Sequence, residues 1–119
     1  MFFCAHLIYI VKYSEQQKFP MWENVHLIEA EDADIAEEIA TKMGAENEEI
    51  LSQDFICNGR PARMVFCGLR KLVPIWDDSL VSGTELTHLE LEIDDEALVQ
   101  KLLERKPVKL IYDEPCIAE

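Results

Sequence analysis

Three histidines, four cysteines and several adjacent acid pairs are the residues of this chain able to do chemistry. His6, His26 and His88 each fall in a strand-like run, and His6 and His26 could approach if the first two strands pair. A zinc or general-base site needs convergent ligands and groups that orient them. None of the usual ligand spacings occurs, so isolated strand histidines are the expectation. Acid-base catalysis by two carboxyls needs them in a cleft with their pKa values driven apart. The pairs Asp32/Asp34 and Asp94/Asp95 already have a use as helix caps and dipole partners. Asp77 and Asp78 stand beside Trp76 in a loop and form the one aromatic-acidic cluster. Ser14, Ser52, Ser79 and Ser82 lack a nucleophile-elbow context, and the four glycines form no phosphate-cradling loop. No catalytic set, metal site or cofactor is expected.

Cys4, Cys57, Cys67 and Cys116 form no C-x-x-C pair. The apolar N-terminus has no basic leader and is too short to span a bilayer, so a cytoplasmic protein with four free thiols is expected. Charge is the most unusual bulk property. Eleven Lys and Arg face 24 Asp and Glu, a net charge of −13 on 119 residues. Such a surface repels phosphate backbones, which argues against direct nucleic-acid or anionic-membrane binding. From Glu23 to Asp54 eleven acids stand against Lys42 alone, and from Asp77 to Glu96 eight stand against none. Arg60, Arg63, Arg70 and Lys71 run the other way, in an acid-free stretch from Asn58 to Trp76. They either pair with acids inside the fold, the favoured reading, or form a local anion site.

Local patterns set the elements that must carry these groups. Phe2 to Tyr13 is apolar on both alternating sets, which predicts a central strand. Ser14 to Pro20 is a loop. Trp22 to Ala30 gives a second strand, with Val25 and Leu27 on one face and Trp22, Asn24, His26 and Ile28 on the other. Asp32 caps a helix expected over Asp32–Met43, with Ile35, Ala36, Ile39, Ala40 and Met43 as its buried stripe and Gly44 ending it. Ala45 to Asp54 then reads as a polar loop. Asn58-Gly59 predicts a two-residue turn inside a hairpin from Phe55 to Val73, with Gly68 a bulge in its second strand.

Thr84 to Ile93 alternates most cleanly, setting Leu89, Leu91 and Ile93 toward a core. A second helix is expected over Asp95–Arg105, stopped by Pro107, and Val108 to Tyr112 forms a last strand. The order is β-β-α-β-β-β-α-β in one α+β domain over residues 1–119, a two-layer sandwich with a mostly antiparallel or mixed sheet.

Several segments together resemble a bacterial family known only as a domain of unknown function, numbered 4288. They are Tyr9-Ile10-Val11-Lys12, the run Trp22 to Glu31 with the Ala-rich helix to Gly44, Val65 to Leu72, and Gly83 to Thr87. The resemblance spans most of residues 2 to 93 and implies a small α+β domain of bacterial type. It brings no activity, cofactor or site residue. What the sequence leaves is a non-enzymatic module whose acidic surface meets a basic protein partner, in an immunity- or inhibitor-like manner. Glu37, Glu38, Trp76, Asp77 and Asp78 are its candidate contact residues. A small-molecule-binding protein or small enzyme with a pocket between sheet and helices, and a homodimer through a sheet face or edge, are the alternatives.

Overall fold

A computed structural model describes residues 1–77 and 79–114. The elements run β1 (Phe2–Tyr13), β2 (Met21–Glu29), α1 (Ala33–Ser52), β3 (Ile56–Cys57), β4 (Arg60–Ile75), β5 (Leu91–Glu92), α2 (Leu98–Leu103) and β6 (Ile111–Tyr112). This is the α+β order expected. The chain divides into two compact units, Met1–Leu86 and Thr87–Glu119.

In the first unit β2, β1, β4 and β3 lie in that order in one antiparallel sheet. β1 is central, and its alternate residues Phe3, Ala5, Leu7, Tyr9 and Val11 are buried with Ile28, Ala36, Ala40 and Met64. β2 shows the predicted faces. Trp22, Asn24, His26 and Ile28 pair with the helix-side residues of β1, while Val25 and Leu27 pair with His6 and Cys4 on the face away from α1, where both β1 residues are buried. The sheet curls, so Trp22 on one edge strand meets Phe55 at the foot of the other, ring centroids 5.8 Å apart.

β4 departs from regular alternation twice. His6 pairs with Lys71 but Leu7 with Leu69, and Ile8 pairs with Gly68 but Tyr9 with Phe66. Each step leaves one extra residue on β4, Arg70 and Cys67, as a bulge. The bulge at Gly68, whose φ is +146°, was expected from the sequence; the one at Arg70 was not. Asn58 and Gly59 make the predicted two-residue turn, both with positive φ.

α1 begins as the sequence indicates, Asp32 Oδ1 accepting from Ile35 N at 2.9 Å. It does not end at Gly44. A Cβ on this buried glycine would lie 2.5 Å from Cε1 and Cζ of Phe66, so the residue serves close approach of helix to sheet. The expected loop from Ala45 is two more helical turns, with Leu51 packed against the core. The polar residues of that stretch are used. Met64 N donates to Ser52 Oγ at 2.9 Å, and Phe66 N to Glu48 Oε2 at 2.8 Å. Beyond the two residues of β3, helix side chains thus satisfy the edge of β4. Of the predicted stripe, Ala36 and Ala40 are buried and Met43 packs on the core, but Ile35 and Ile39 are over one-third exposed.

The expected strand from Thr84 to Ile93 shrinks to Leu91–Glu92, in the second unit, paired with Ile111–Tyr112. Alternation alone does not make a strand; only these two residues have a ladder partner. Leu89 and Leu91 are exposed rather than core residues. α2 is six residues long instead of eleven, with no side-chain N-cap bond, and Val99, Leu102 and Leu103 are exposed. Arg105, with φ +61°, turns the chain before Pro107 is reached.

Candidate functional site

α1 positions the acidic candidates. Its small residues Ala36, Ala40 and Gly44, four apart, face the sheet. The rest of the helix surface points to water, and it carries Asp34, Glu37, Glu38, Glu46 and Glu49, all exposed, with Lys42. Asp34, Glu37, Glu38, Thr41, Lys42 and Ala45 frame one shallow depression. Asp34, in the first turn, also complements the helix dipole.

Trp76 and Asp77 follow the last residue of β4. Trp76 is 81 % exposed, the most of any large apolar side chain described. Asp77 Oδ1 accepts from Ser79 N at 3.0 Å and Ser79 Oγ at 3.2 Å, folding the loop back on itself. Asp78 lies outside the described residues. Phe2 pairs with both Glu29 and Ile75, so Trp76 and the start of α1 stand at the same end of the sheet.

Sequence reasoning missed a charged cluster on the face away from α1. His6 Nδ1 donates to Glu23 Oε2 at 2.7 Å, and Arg70 donates to the same oxygen from Nε at 3.0 Å and Nη2 at 2.7 Å. One carboxylate on β2 thereby ties β4 and β2 together across β1. The bulge makes this reach possible, because it turns Arg70 to the same face as Lys71. His6 is fully buried. Burial is the main force holding its pKa below the ordinary value, opposed by its hydrogen bond to Glu23 and that carboxylate's charge and assisted by Lys71 and Arg70. A histidine oriented by a carboxylate is a general-base arrangement, but with no exposed atom His6 acts as a structural link between strands.

The remaining candidates stand apart. β1 and β2 do pair, yet His26 sits opposite Ala5 while His6 sits opposite Val25. That one-residue offset puts the two histidines on opposite faces of the sheet, so they do not converge. His88 Nε2 lies 3.5 Å from Glu90 Oε2, both exposed. No group of three metal-ligating side chains occurs among the described residues. Of the four basic residues, Arg70 pairs with Glu23, and Arg60 reaches Ser14 O and lies 3.6 Å from Glu15. Cys4, Cys57 and Cys67 are unbridged, and burial pushes the Cys4 thiol up; Cys116 lies outside the described residues. No described helix is long and apolar enough to cross a membrane.

A four-stranded antiparallel sheet curled over one long helix defines a small α+β domain. The chain belongs to the family described as Domain of unknown function (DUF4288), whose model matches residues 2–88. That segment contains the whole sheet and α1. No curated protein and no solved structure matches the chain.

Proposed function

We propose that this protein is a binding module, not an enzyme, and that it takes a basic protein partner on the outer face of α1. The observation that carries the reading is the helix itself, whose solvent side exposes Glu37, Glu38 and their acidic neighbours against Lys42. Like charges held on one rigid element give a potential that acts over about 8 Å at physiological salt and speeds encounter with a cationic surface. Trp76, exposed at the same end of the sheet, offers an aromatic anchor beside the acids. The layer between sheet and helix is filled by Tyr9, Phe66, Ala36 and Ala40, which favours a surface over an internal pocket. In this reading the protein works in the bacterial cytoplasm, and its acids imitate the polyanion a basic, nuclease-like target would otherwise bind.

The test is a kinetic binding series against a basic protein recovered with the chain from cell extract. Association should slow about tenfold between low and high salt. Glu37→Lys with Glu38→Lys should slow association more than it speeds dissociation. An association rate indifferent to salt and to charge reversal overturns the proposal.

A further inference from the structure

The two edges of the sheet are treated differently. On the β4 side, β3 and then Ser52 and Glu48 of α1 occupy the backbone groups. On the other side no described strand pairs with the outer edge of β2. Ala30 N donates to Met1 O and Val11 N to Pro20 O. In an antiparallel ladder hydrogen-bonded pairs recur at every second residue, so the even-numbered residues of β2 bond to β1. The N–H and C=O groups of Val25 and Leu27 then point outward. Between Met21 and Glu29 there is no proline, lysine or arginine to blunt the edge, and of its two acids Glu23 is held by His6 and Arg70. Met21, Val25 and Leu27, on the face away from α1, are each about half exposed.

We propose that β2 pairs antiparallel with β2 of a second copy of this chain, about a two-fold axis at Val25, joining two sheets through their edges. The side chains favour this occupant because the strand is complementary to itself. In the register centred on Val25 all nine residues pair. On the helix side Trp22 meets Ile28 and Asn24 meets His26, apolar on apolar and polar on polar. On the other face Val25 meets its own copy, Glu23 meets Leu27, and Glu29 meets Met21, so no acid opposes an acid. A register centred on His26 sets Glu23 against Glu29. One centred on Glu23 sets that residue against itself. One centred on Asn24 leaves Ile28 and Glu29 beyond the partner strand. Each copy carries a net charge of −13, so the pairing opposes a general repulsion and tightens as salt screens it.

Sedimentation equilibrium of the reduced full chain, in a concentration series reaching on the order of 1 mM, tests the pairing. A two-chain mass that increases with salt is expected. Val25→Pro removes an outward N–H without touching the ladder to β1. Val25→Lys sets two ammonium groups face to face at an exposed position. Either variant, folded by circular dichroism, should sediment as a single chain. Register is read by oxidation in a Cys67→Ser background. Val25→Cys should bridge, because hydrogen-bonded partners lie about 5.5 Å apart at Cα. Leu27→Cys should not, since its two copies stand about 14 Å apart. A single-chain mass throughout the series, a dimer that survives both substitutions, or bridging at Leu27 but not Val25 overturns the proposal. Glu37→Lys with Glu38→Lys leaves this pairing in place, and basic-partner binding weakens with salt, so the two proposals fail separately.

Discussion

Replacing Gly44 by alanine opposes two effects whose sizes can be compared. In a helix interior alanine is favoured over glycine by about 1 kcal/mol. Here the added Cβ would stand 2.5 Å from two ring carbons of Phe66 and 2.9 Å from a third. Carbon atoms rest at about 3.5–4.0 Å, so ring or helix must yield by about 1 Å. The ring has little room, packed against Tyr9 with centroids 5.4 Å apart. The helix is held as well, since Tyr9 Oη donates to Gly44 O at 3.2 Å. Overpacking of this kind costs about 1–3 kcal/mol, and loss of the Tyr9 bond adds about 1 kcal/mol. Gly44→Ala should therefore destabilise by about 1–3 kcal/mol net, read as a lower urea midpoint at unchanged slope. In a Phe66→Leu background the colliding atoms are gone, and the same substitution should become neutral or stabilise by up to about 1 kcal/mol. A stabilising effect in the wild type, or the same cost in both backgrounds, would refute the close-approach argument.

Ser52→Ala strips the partner from Met64 N and should cost about 1–3 kcal/mol, with faster hydrogen exchange at the Met64 amide and recovery in Ser52→Thr; an unchanged exchange rate would show that the edge is not sealed there. His6 gives a pH dependence whose sign follows from its lowered pKa. The unfolded chain takes up a proton near the ordinary value of 6.5 while the folded one resists. Stability should thus fall as pH drops below that value, down to the folded pKa, with a limiting slope of about 1.4 kcal/mol per pH unit. His6→Gln should flatten this part of the stability profile, and identical profiles would show that His6 is not the group responsible.

Features specified by neighbours in the chain were legible from the residue string. The apolar double face of β1, the Asp32 cap, the Asn58-Gly59 turn and the Gly68 bulge are all local signals, and all are present. The errors arose where distant residues decide. Gly44 reads as a helix stop until Phe66 is known to lie against it. Glu48 and Ser52 read as loop residues until the edge of β4 stands beside them. His6, Glu23 and Arg70 belong to three separate segments, and Arg70 reaches the carboxylate only through a bulge that leaves no mark such as glycine. From Thr84 to Ile93 the alternation is real but mostly lacks a pairing strand. The acidic side of α1 was foreseeable from spacing, since Glu37 and Glu38 fall off the apolar stripe.

The two bulges also set lengths. Phe2–Tyr13 of β1 lies against Ala62–Ile75 of β4, a run two residues longer. At about 3.3 Å per residue β4 travels some 6–7 Å farther to cover the same span. Two ribbons of unequal length joined rung by rung cannot both stay straight, so the mismatch becomes curvature. Curvature gives the sheet a hollow, and the small faces of Ala36, Ala40 and Gly44 let α1 sink into it. Each extra residue also inverts inside and outside for everything downstream, and two inversions restore the original phase. Val73 and Val65, on either side of the pair, accordingly share one face. Shortening β4 by one residue at Cys67 would reverse that phase for half the strand, so length in this segment is constrained by parity as well as by volume.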